Sequence, residues 1–390
     1  MKRRHILRWG CAQCAVLPLA GFANTSDVGA DSWQAPQRFA RPDLASDEGG
    51  LWALMDREET KLRRSPFLLK DSELQNYVLD IACKLGAGHC QDIRTYLVRM
   101  PIFNASMAPN GMMQVWSGLL LRVENEAQLA AVIGHEIGHY LQRHSLERMR
   151  DFKGRTAAGL VLAMFGIVGL LGQLAVMAGG LAFSRSQERD ADIIGLKLMA
   201  DAGYDTREAA KIWRNLRAEA ASNPGSEEAT RSPMLATHPA SDERAVELER
   251  WAESRSANGR VGQEQYRDRI ANVQSLMLDD ELSRSRFSES LVLMNRLIAN
   301  QPERADLLFY RGEAHRLRAK SDDLDLALAD FEAALDKGTV PPKLHRAKAE
   351  ILKHKGDSEG AQKAYAKFLE LQPDAPDAAM IRDYLKGTSS

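Results

Sequence analysis

The five residues His135-Glu136-Ile137-Gly138-His139 are the part of the sequence best suited to chemistry. Histidines four positions apart lie on the same face of a helix, so both imidazoles can bind one zinc ion at ~2.0–2.1 Å. Glu136 follows the first histidine and can take a proton from a zinc-bound water, whose pKa zinc lowers toward ~7. The pattern predicts a zinc-dependent hydrolase with His135 and His139 as metal ligands and Glu136 as the general base.

The residues before this motif indicate that its helix is buried. They are almost all apolar from Leu129 to Ile133, and Asn125 is a suitable N-cap for a helix that begins there. The alternative is a surface helix that carries two solvated histidines. Because buried ionisable side chains need partners, and a metal supplies them, burial favours the zinc interpretation. Gly138 is expected to keep the helix surface open beside the metal.

A catalytic zinc needs a third protein ligand, and a second acidic segment offers one. In Glu188-Arg189-Asp190-Ala191-Asp192, the first and last carboxylates are four residues apart and share a helix face. The simplest assignment makes Glu188 the third ligand and Asp192 the carboxylate that orients a ligand histidine. The alternative is a solvated acidic turn of helix. Asp190 is expected to be solvated under both interpretations.

The elements around these motifs predict a mainly α (α+β) domain with a small β-sheet. Apolar spacing is helical from Glu48 to Leu85, and strand-like segments follow at Arg94–Arg99 and Met112–Trp116. A loop with Pro109-Asn110-Gly111 separates the two strands. The strand Met112–Trp116 is expected to be the edge that pairs with an extended substrate.

A helical repeat is predicted for residues 260–390. Three sets of apolar and small residues recur with spacings of four and three, centred on Met294, Phe331 and Tyr365, so the offsets between repeats are 37 and 34 residues. This period is close to that of tetratricopeptide repeats and predicts an α-solenoid. Gly312 and Gly356 are expected where helices pack closely or turn. An ordinary helical bundle is the alternative.

The N-terminus has the pattern of a secretory signal peptide over residues 1–23, followed by a flexible lead-in at residues 24–45. A basic stretch precedes an apolar one, and small residues precede a cut after Ala23. The remaining chain carries 48 basic and 53 acidic residues, a balance that argues against nucleic acid as a partner. Cys83 and Cys90 are the cysteines left after the cut, and an oxidising periplasm would favour a disulfide between them over two free thiols.

The segment 157–183 is apolar apart from Gln173 and is long enough to reach across a bilayer core of ~30 Å. A single crossing would separate His139 from Glu188, which must share one metal. A helical hairpin resolves this conflict, as core packing, as a lid over the cleft or as an element that contacts the membrane. A hairpin that forms a lid or lies at the membrane surface is favoured over one that spans the membrane. Peripheral association with the outer membrane is therefore a hypothesis for this segment.

Four segments, in this order, resemble a family of zinc metallopeptidases. The family includes the CAAX prenyl proteases, the HtpX heat-shock proteases and the periplasmic β-barrel assembly-enhancing proteases. The segments are 104–111, 125–139, 184–192 and 238–244, within a metallopeptidase domain predicted at residues 46–255. The repeat domain at 260–390 narrows the resemblance to the β-barrel assembly-enhancing branch. Ser106-Met107 and Met112-Met113 depart from the family pattern, so the resemblance carries no subsite preference.

The resemblance implies one Zn²⁺ per chain, with Glu188 as the third ligand and Asp192 as its neighbouring acid. It also implies that His238 and Arg244 face the cleft as catalytic residues. His238 would stabilise the oxyanion, or would occupy the open zinc position and hold the enzyme latent. Alternatively, His238 belongs to a loop cap and Arg244 to a structural ion pair. His144, five residues after His139, is expected on another face of the helix, in a structural role.

By resemblance, the function is that of a periplasmic zinc-dependent endopeptidase that cleaves misfolded or stalled envelope and outer-membrane proteins, in proteolytic quality control and β-barrel assembly. Its partners would be unfolded or misassembled outer-membrane proteins and the assembly machinery, bound through the repeat domain. The alternative is a tetratricopeptide scaffold or chaperone with a latent zinc site. A prenyl-peptide protease of internal membranes would need several membrane spans, which this sequence does not offer.

Overall fold

The computed structural model describes residues 33–151, 183–222, 234, 238, 242–255 and 259–387. The predicted signal peptide, residues 24–32 of the lead-in and the apolar segment up to residue 182 lie outside these residues, so what was expected of them stays a prediction. Within the described ranges, no helix combines the length and the apolar character that a membrane crossing requires.

Helices make up most of the described residues, which also contain a small sheet between the second and third helices. The helices of the predicted metallopeptidase domain are α1 (Asp47–Arg63), α2 (Ser72–Leu85), α3 (Ser117–Arg122), α4 (Glu126–Leu141), α5 (His144–Asp151), α6 (Arg185–Asp201), α7 (Glu208–Ala221) and α8 (Asp242–Arg255). A short 3₁₀ helix at Cys90–Asp92 precedes the sheet. The predicted mainly α architecture is confirmed.

The sheet has three strands in the order β1-β3-β2, with β1 at Arg94–Val98, β2 at Ala105–Met107 and β3 at Met112–Trp116. Strand β3 runs parallel to β1 and antiparallel to β2. The two predicted strands are therefore present, but the expectation that Met112–Trp116 is the edge is wrong. That strand is central because the short β2, which the sequence analysis missed, covers its other side.

Glycine residues allow helices α4 and α6 to pack backbone against backbone. A Cβ on Gly138 would lie 2.9 Å from the carbonyl oxygen of Ala191, and one on Gly195 would lie 3.0 Å from the amide nitrogen of His135. The sequence analysis expected Gly138 to keep the helix surface open beside the metal, and this expectation is wrong. Gly138 instead lets α6 pack closely, because a side chain at this position would hold α6 away. The close approach brings the histidines of α4 level with the carboxylates of α6.

The C-terminal part of the chain is built of helices that pack as successive pairs. These helices are α9 (Gln263–Ser283), α10 (Phe287–Asn300), α11 (Ala305–Arg318), α12 (Asp323–Lys337), α13 (Lys343–His354), α14 (Ser358–Leu371) and α15 (Ala378–Gly387). The three predicted repeat centres, Met294, Phe331 and Tyr365, are all buried. A Cβ on Gly312 would lie 2.5 Å from the ring of Phe331, and Gly356 turns the chain with a φ of +82°. A helical repeat region is therefore present, whereas its boundary at residue 260 and its tetratricopeptide character remain predictions.

The predicted disulfide between Cys83 and Cys90 is present. It closes the turn that follows α2, in which Gly88 has a φ of +91° that suits glycine. The bond ties the C-terminal end of α2 to the segment that leads into β1.

The segment just before α9 holds the N-terminus of the motif helix α4. The carbonyl oxygens of Val261 and Gly262 accept hydrogen bonds from the amides of Ala127 and Glu126, at 3.0 and 3.3 Å. The guanidinium of Arg260 pairs with the Glu126 carboxylate at 2.6 Å. First-turn amides of a helix lack partners within the helix, so this segment satisfies donors that would otherwise be left unpaired.

Gly262→Ala is expected to destabilise the protein by about 1–2 kcal/mol or more. Gly262 has a φ of +68°, and an added Cβ would lie 2.8 Å from Cβ of Glu126. The measurement is the free energy of unfolding in urea. Gly50→Ala in α1 is the matched control, because no atom lies within 4 Å of its Cβ and alanine favours a helix. Equal stability of Gly262→Ala and the wild type would contradict this account.

Candidate metal centre

Three side chains from α4 and α6 converge on one buried point. His135 and His139 project from the same face of α4, and their Nε2 atoms lie 3.1 Å apart. Glu188, in the first turn of α6, places Oε1 at 3.4 Å from Nε2 of His139 and Oε2 at 3.7 Å from Nε2 of His135. All three side chains are at most 3% exposed. The structure thus brings together the three predicted metal ligands.

A fourth side chain, His238, joins this group from a distant part of the chain. Its Nδ1 lies 2.8 Å from Oε1 of Glu188 and 3.1 Å from Nε2 of His135. The four ligand atoms all lie within 4.8 Å of one another. His238 therefore belongs to the same buried group as the three predicted ligands.

The donor atoms fit zinc in kind and in spacing. Two imidazole nitrogens and a carboxylate are ligands that zinc prefers, and two donors bound tetrahedrally at ~2.0–2.1 Å lie about 3.3 Å apart. The separations of 3.1 Å between the histidine nitrogens and 3.4 Å between His139 and Glu188 match that value. Among the described residues, the buried Oε1 of Glu136 has no hydrogen-bond partner, and it lies 3.6 Å from Nε2 of His238. An unpartnered carboxylate oxygen beside three ligands suits the base of a metal-bound water.

Asp192 contacts the first histidine. Its Oδ1 lies 2.9 Å from Nδ1 of His135, which directs the lone pair of Nε2 toward the metal position. Arg244 donates to both oxygens of Asp192, at 2.5 and 2.9 Å, and also contacts Glu188. Its guanidinium lies 4.9 Å from the ring centroid of Trp213. Arg244 is thus buried beside the metal group and is engaged by carboxylates, while its predicted catalytic role stays a prediction.

His144 is part of the site, although the sequence analysis placed it on another face. Its Nδ1 lies 2.9 Å from Nδ1 of His139, so it bonds the ring nitrogen that faces away from the metal position. Helix α4 ends at Leu141, and Arg143 turns the chain with a φ of +58°. The turn brings His144 back against α4, and counting positions along one continuous helix therefore gave the wrong face.

His144→Ala is expected to weaken zinc binding by about 10–100-fold, because ligand histidines depend on the partner of their second ring nitrogen. The measurement is the zinc dissociation constant by competition with a chromogenic chelator. His144→Asn is the matched variant, since its amide can still bond to Nδ1 of His139 and should recover part of the affinity. An unchanged affinity in His144→Ala would show that the contact does not support the ligand.

The general-base candidate, Glu136, receives a hydrogen bond from the backbone amide of Met107 at the end of β2. Burial raises the pKa of its carboxyl, and the charges of His238 and His135 act in the opposite direction. A raised pKa moves the carboxylate toward the neutral range in which a general base works best. The contact also places the side of β2 that does not pair with β3 next to the reactive group.

Charges and burial favour the metal-binding forms of the ligands. Burial lowers the pKa of His139 well below its usual value, which keeps the imidazole neutral. Burial opposes ionisation of Glu188, but the charges of His238 and Arg244 outweigh it and hold the pKa of that carboxyl well below its usual value. Neutral imidazole and ionised carboxylate are the states that bind zinc.

A buried group of His135, His139, Glu188 and His238, with the carboxylate of Glu136 beside it, has the donors of a zinc metallopeptidase centre. Residues 68–252 match Peptidase family M48, so the chain carries a metallopeptidase domain of that family. The family implies zinc, and the four buried residues are able to hold the ion.

The chain is also similar to proteins that are named as metalloendopeptidases or proteases. Over 120 residues, the chain is 39% identical to the mitochondrial metalloendopeptidase OMA1 of Arabidopsis thaliana, covering 31% of this chain and 25% of that protein. It is 29% identical over 205 residues to a putative beta-barrel assembly-enhancing protease of Vibrio cholerae, covering 48% and 40%. It is 35% identical over 160 residues to the OMA1 metalloendopeptidase of Schizosaccharomyces pombe, covering 40% and 45%. The chain thus spans less than half the length of these relatives.

Proposed function

We propose that this protein is a zinc-dependent endopeptidase of the bacterial periplasm that cleaves misfolded or stalled outer-membrane proteins. The convergence of His135, His139 and Glu188 in one buried group, with the carboxylate of Glu136 next to it, carries the proposal. Beta-barrel assembly-enhancing proteases among the relatives support the substrate class. The disulfide between Cys83 and Cys90 suits an oxidising compartment.

The free side of β2 is the proposed place for the substrate backbone. Among the described residues, β2 pairs with β3 along one side, and at Met107 its other side bonds to Glu136. An extended chain added to that side would pass directly over the reactive carboxylate. A substrate segment that pairs with the short strand β2 must be extended. An unfolded segment can adopt this conformation, whereas a folded domain cannot.

In the proposed reaction, Glu136 takes the proton of the attacking water and passes it to the leaving amine. Bound zinc supplies Lewis-acid chemistry and lowers the pKa of that water. Asp192 holds the ring of His135 in place, and His144 does the same for His139. Burial of the whole group keeps bulk water away from the charges that the reaction develops.

His238 is proposed to hold the enzyme latent. Its Nδ1 is within 3.1 Å of His135 and 2.8 Å of Glu188, in the position that a water or substrate oxygen would need. Opening the site therefore requires this side chain to leave. The close packing of its ring against that of Phe183, with centroids 5.1 Å apart, holds it inward.

The repeat helices α9–α15 are proposed to dock the substrate protein or the assembly machinery. The alternative is a scaffold or chaperone whose zinc site is latent. The position of His238 among the ligands is consistent with a latent site and therefore supports this alternative. The two functions differ in whether a released site cleaves protein.

The test is digestion of casein by purified residues 24–390. Cleavage that a zinc chelator stops and added zinc restores is expected, and His238→Ala should cleave several times faster than the wild type if the histidine blocks the site. His354→Ala, a change of the same kind on the distant helix α13, is the control and should not alter the rate. Failure of both the wild type and His238→Ala to cleave, with zinc bound, would favour the scaffold.

A further inference from the structure

Trp213 lies beside the metal group but takes no part in the reaction proposed above. It belongs to α7 and is 5% exposed. Its ring lies 6.2 Å from that of His135 in an edge-to-face arrangement, and its centroid lies 4.9 Å from the guanidinium carbon of Arg244. An indole is not among the groups that bind zinc, so a role for Trp213 must come from what it holds in place.

Arg244 joins two carboxylates of the metal group. Its Nε and Nη2 atoms donate to the two oxygens of Asp192, at 2.5 and 2.9 Å, and its Nη1 atom pairs with Glu188. Asp192 in turn lies 2.9 Å from Nδ1 of His135. A displacement of the guanidinium would therefore disturb one predicted ligand directly and another through its partner.

The carboxylates hold Arg244 from one helix only, since Asp192 and Glu188 both lie on α6. Trp213 adds a contact from α7, and a guanidinium within ~6 Å of an indole face is attracted to it. This attraction is stronger when the two groups are removed from water, and the side chain of Arg244 is only 9% exposed. Trp213 thus ties the guanidinium to a helix that carries none of the predicted ligands.

Helix α7 is held near both of its ends, which gives the indole between them a fixed place. Near the start of α7, the carboxylate of Glu208 accepts hydrogen bonds from Asn125 and Gln128, each at 2.9 Å. These two residues begin the motif helix α4. Near the end of α7, Glu219 accepts a hydrogen bond from Arg296 of α10 at 2.8 Å. The indole is therefore positioned relative to the same helix that carries the two ligand histidines.

We infer that Trp213 is a positioning residue of the metal group and that it acts through Arg244. The indole holds the guanidinium where it binds Asp192 and Glu188, and so keeps the donors in place for zinc. This inference rests on the zinc site of the proposed peptidase, but not on its substrate. The alternatives are that the indole only fills space, or that it supports the ring of His135 directly.

The test compares the zinc dissociation constants of the wild type, Trp213→Leu and Trp213→Phe, measured by competition with a chromogenic chelator. Trp213→Leu should weaken zinc binding by about tenfold, because leucine has no aromatic face for the cation. Trp213→Phe should stay within about threefold of the wild type, since its ring keeps such a face. Equal losses in the two variants, or no loss in either, would overturn the inference.

A double-mutant cycle identifies the residue through which Trp213 acts. Trp213→Leu should cause no further loss of zinc affinity in the Arg244→Ala background. An undiminished loss in that background would show that the indole supports His135 directly, and would overturn the inference. Arg244→Gln, whose amide can still donate to Asp192, is the background for the same cycle if Arg244→Ala does not fold.

Phe331→Leu is the control for the loss of a buried ring. Phe331 is fully buried in α12, among the repeat helices, so its replacement should leave the zinc affinity unchanged. Circular dichroism checks the folding of each variant. Trp213→Met, which is also apolar and fills irregular spaces, takes the place of Trp213→Leu if the latter does not fold.

These measurements separate the inference from the proposed function, because none of them needs cleavage. A loss of zinc affinity in Trp213→Leu that depends on Arg244, in a protein that cleaves no casein, would support the inference and contradict the peptidase function. A zinc affinity independent of Trp213, in a protein that does cleave casein, would overturn the inference and leave the function intact.

Discussion

Replacing Glu136 with glutamine is expected to reduce the kcat/KM for casein-derived peptides by about 10²–10⁴-fold. The amide keeps the size of the side chain and can still occupy the place beside the metal group, but it cannot accept the proton of the attacking water. Zinc content should stay at one ion per chain because Glu136 is not among the grouped ligands. The measurements are peptide cleavage rates and metal content by mass spectrometry.

The same chemical change at an exposed position separates catalysis from a general effect of charge. Glu73→Gln in α2 is the control, since the Glu73 side chain is 78% exposed. It should leave both the rate and the zinc content unchanged. Full activity of Glu136→Gln would exclude this carboxylate as the base, whereas a loss of zinc together with activity would place it among the ligands.

Predictions from spacing along a single helix agree with the structure. His135 and His139 share a face of α4, and Glu188 and Asp192 share a face of α6, because four residues make about one helical turn. The N-cap at Asn125 is also present, with its side chain accepting from the amide of Gln128. These features depend on local geometry, which a sequence specifies directly.

Features that depend on where the chain reverses its direction, or on which element packs opposite, were not predicted correctly. Strand β2 has three residues, too few for alternation between buried and exposed positions to stand out. His144 follows a reversal at Arg143, whose positive φ no sequence pattern indicated. The packing role of Gly138 required knowledge of which helix lies opposite.

His238 and Arg244 illustrate a third case. Both lie more than 100 residues after His135. Arg244 approaches it from α8, and His238 approaches it from the chain before that helix. No periodicity joins such distant positions, so only the resemblance to known metallopeptidases placed them near the zinc. The structure adds the contacts, with Arg244 on Asp192 and Glu188, and His238 within the ligand group.

Arg122→Ala is expected to destabilise the protein by about 3 kcal/mol, at the lower end of the cost of breaking a buried ion pair. Arg122 ends α3 with 3% exposure and donates to Glu219 of α7 at 2.7 Å and to Glu281 of α9 at 2.9 Å. Removing it leaves both carboxylates buried. The loss is moderated because Arg296 still bonds Glu219 and Arg284 still bonds Glu281.

The measurement is urea unfolding followed by circular dichroism, with Arg99→Ala as the matched control. Arg99 also connects the sheet region to α9, through Asp280 at 2.7 Å, but its side chain is 45% exposed. An exposed pair contributes at most about 1 kcal/mol. Equal destabilisation by the two variants would show that burial of the Arg122 network adds nothing.

Acid should reduce the difference between Arg122→Ala and the wild type. Burial opposes ionisation of Glu281, but the charges of Arg122 and Arg284 outweigh it and lower the pKa of its carboxyl. A lowered pKa stabilises the folded state above the unfolded value of ~4.3 and loses that contribution as the pH falls. In the variant, protonation of the same carboxyl relieves a poorly compensated buried charge. Because the network joins α3 and α7 to α9, its pH dependence reports how firmly the repeat helices are held against the metallopeptidase domain.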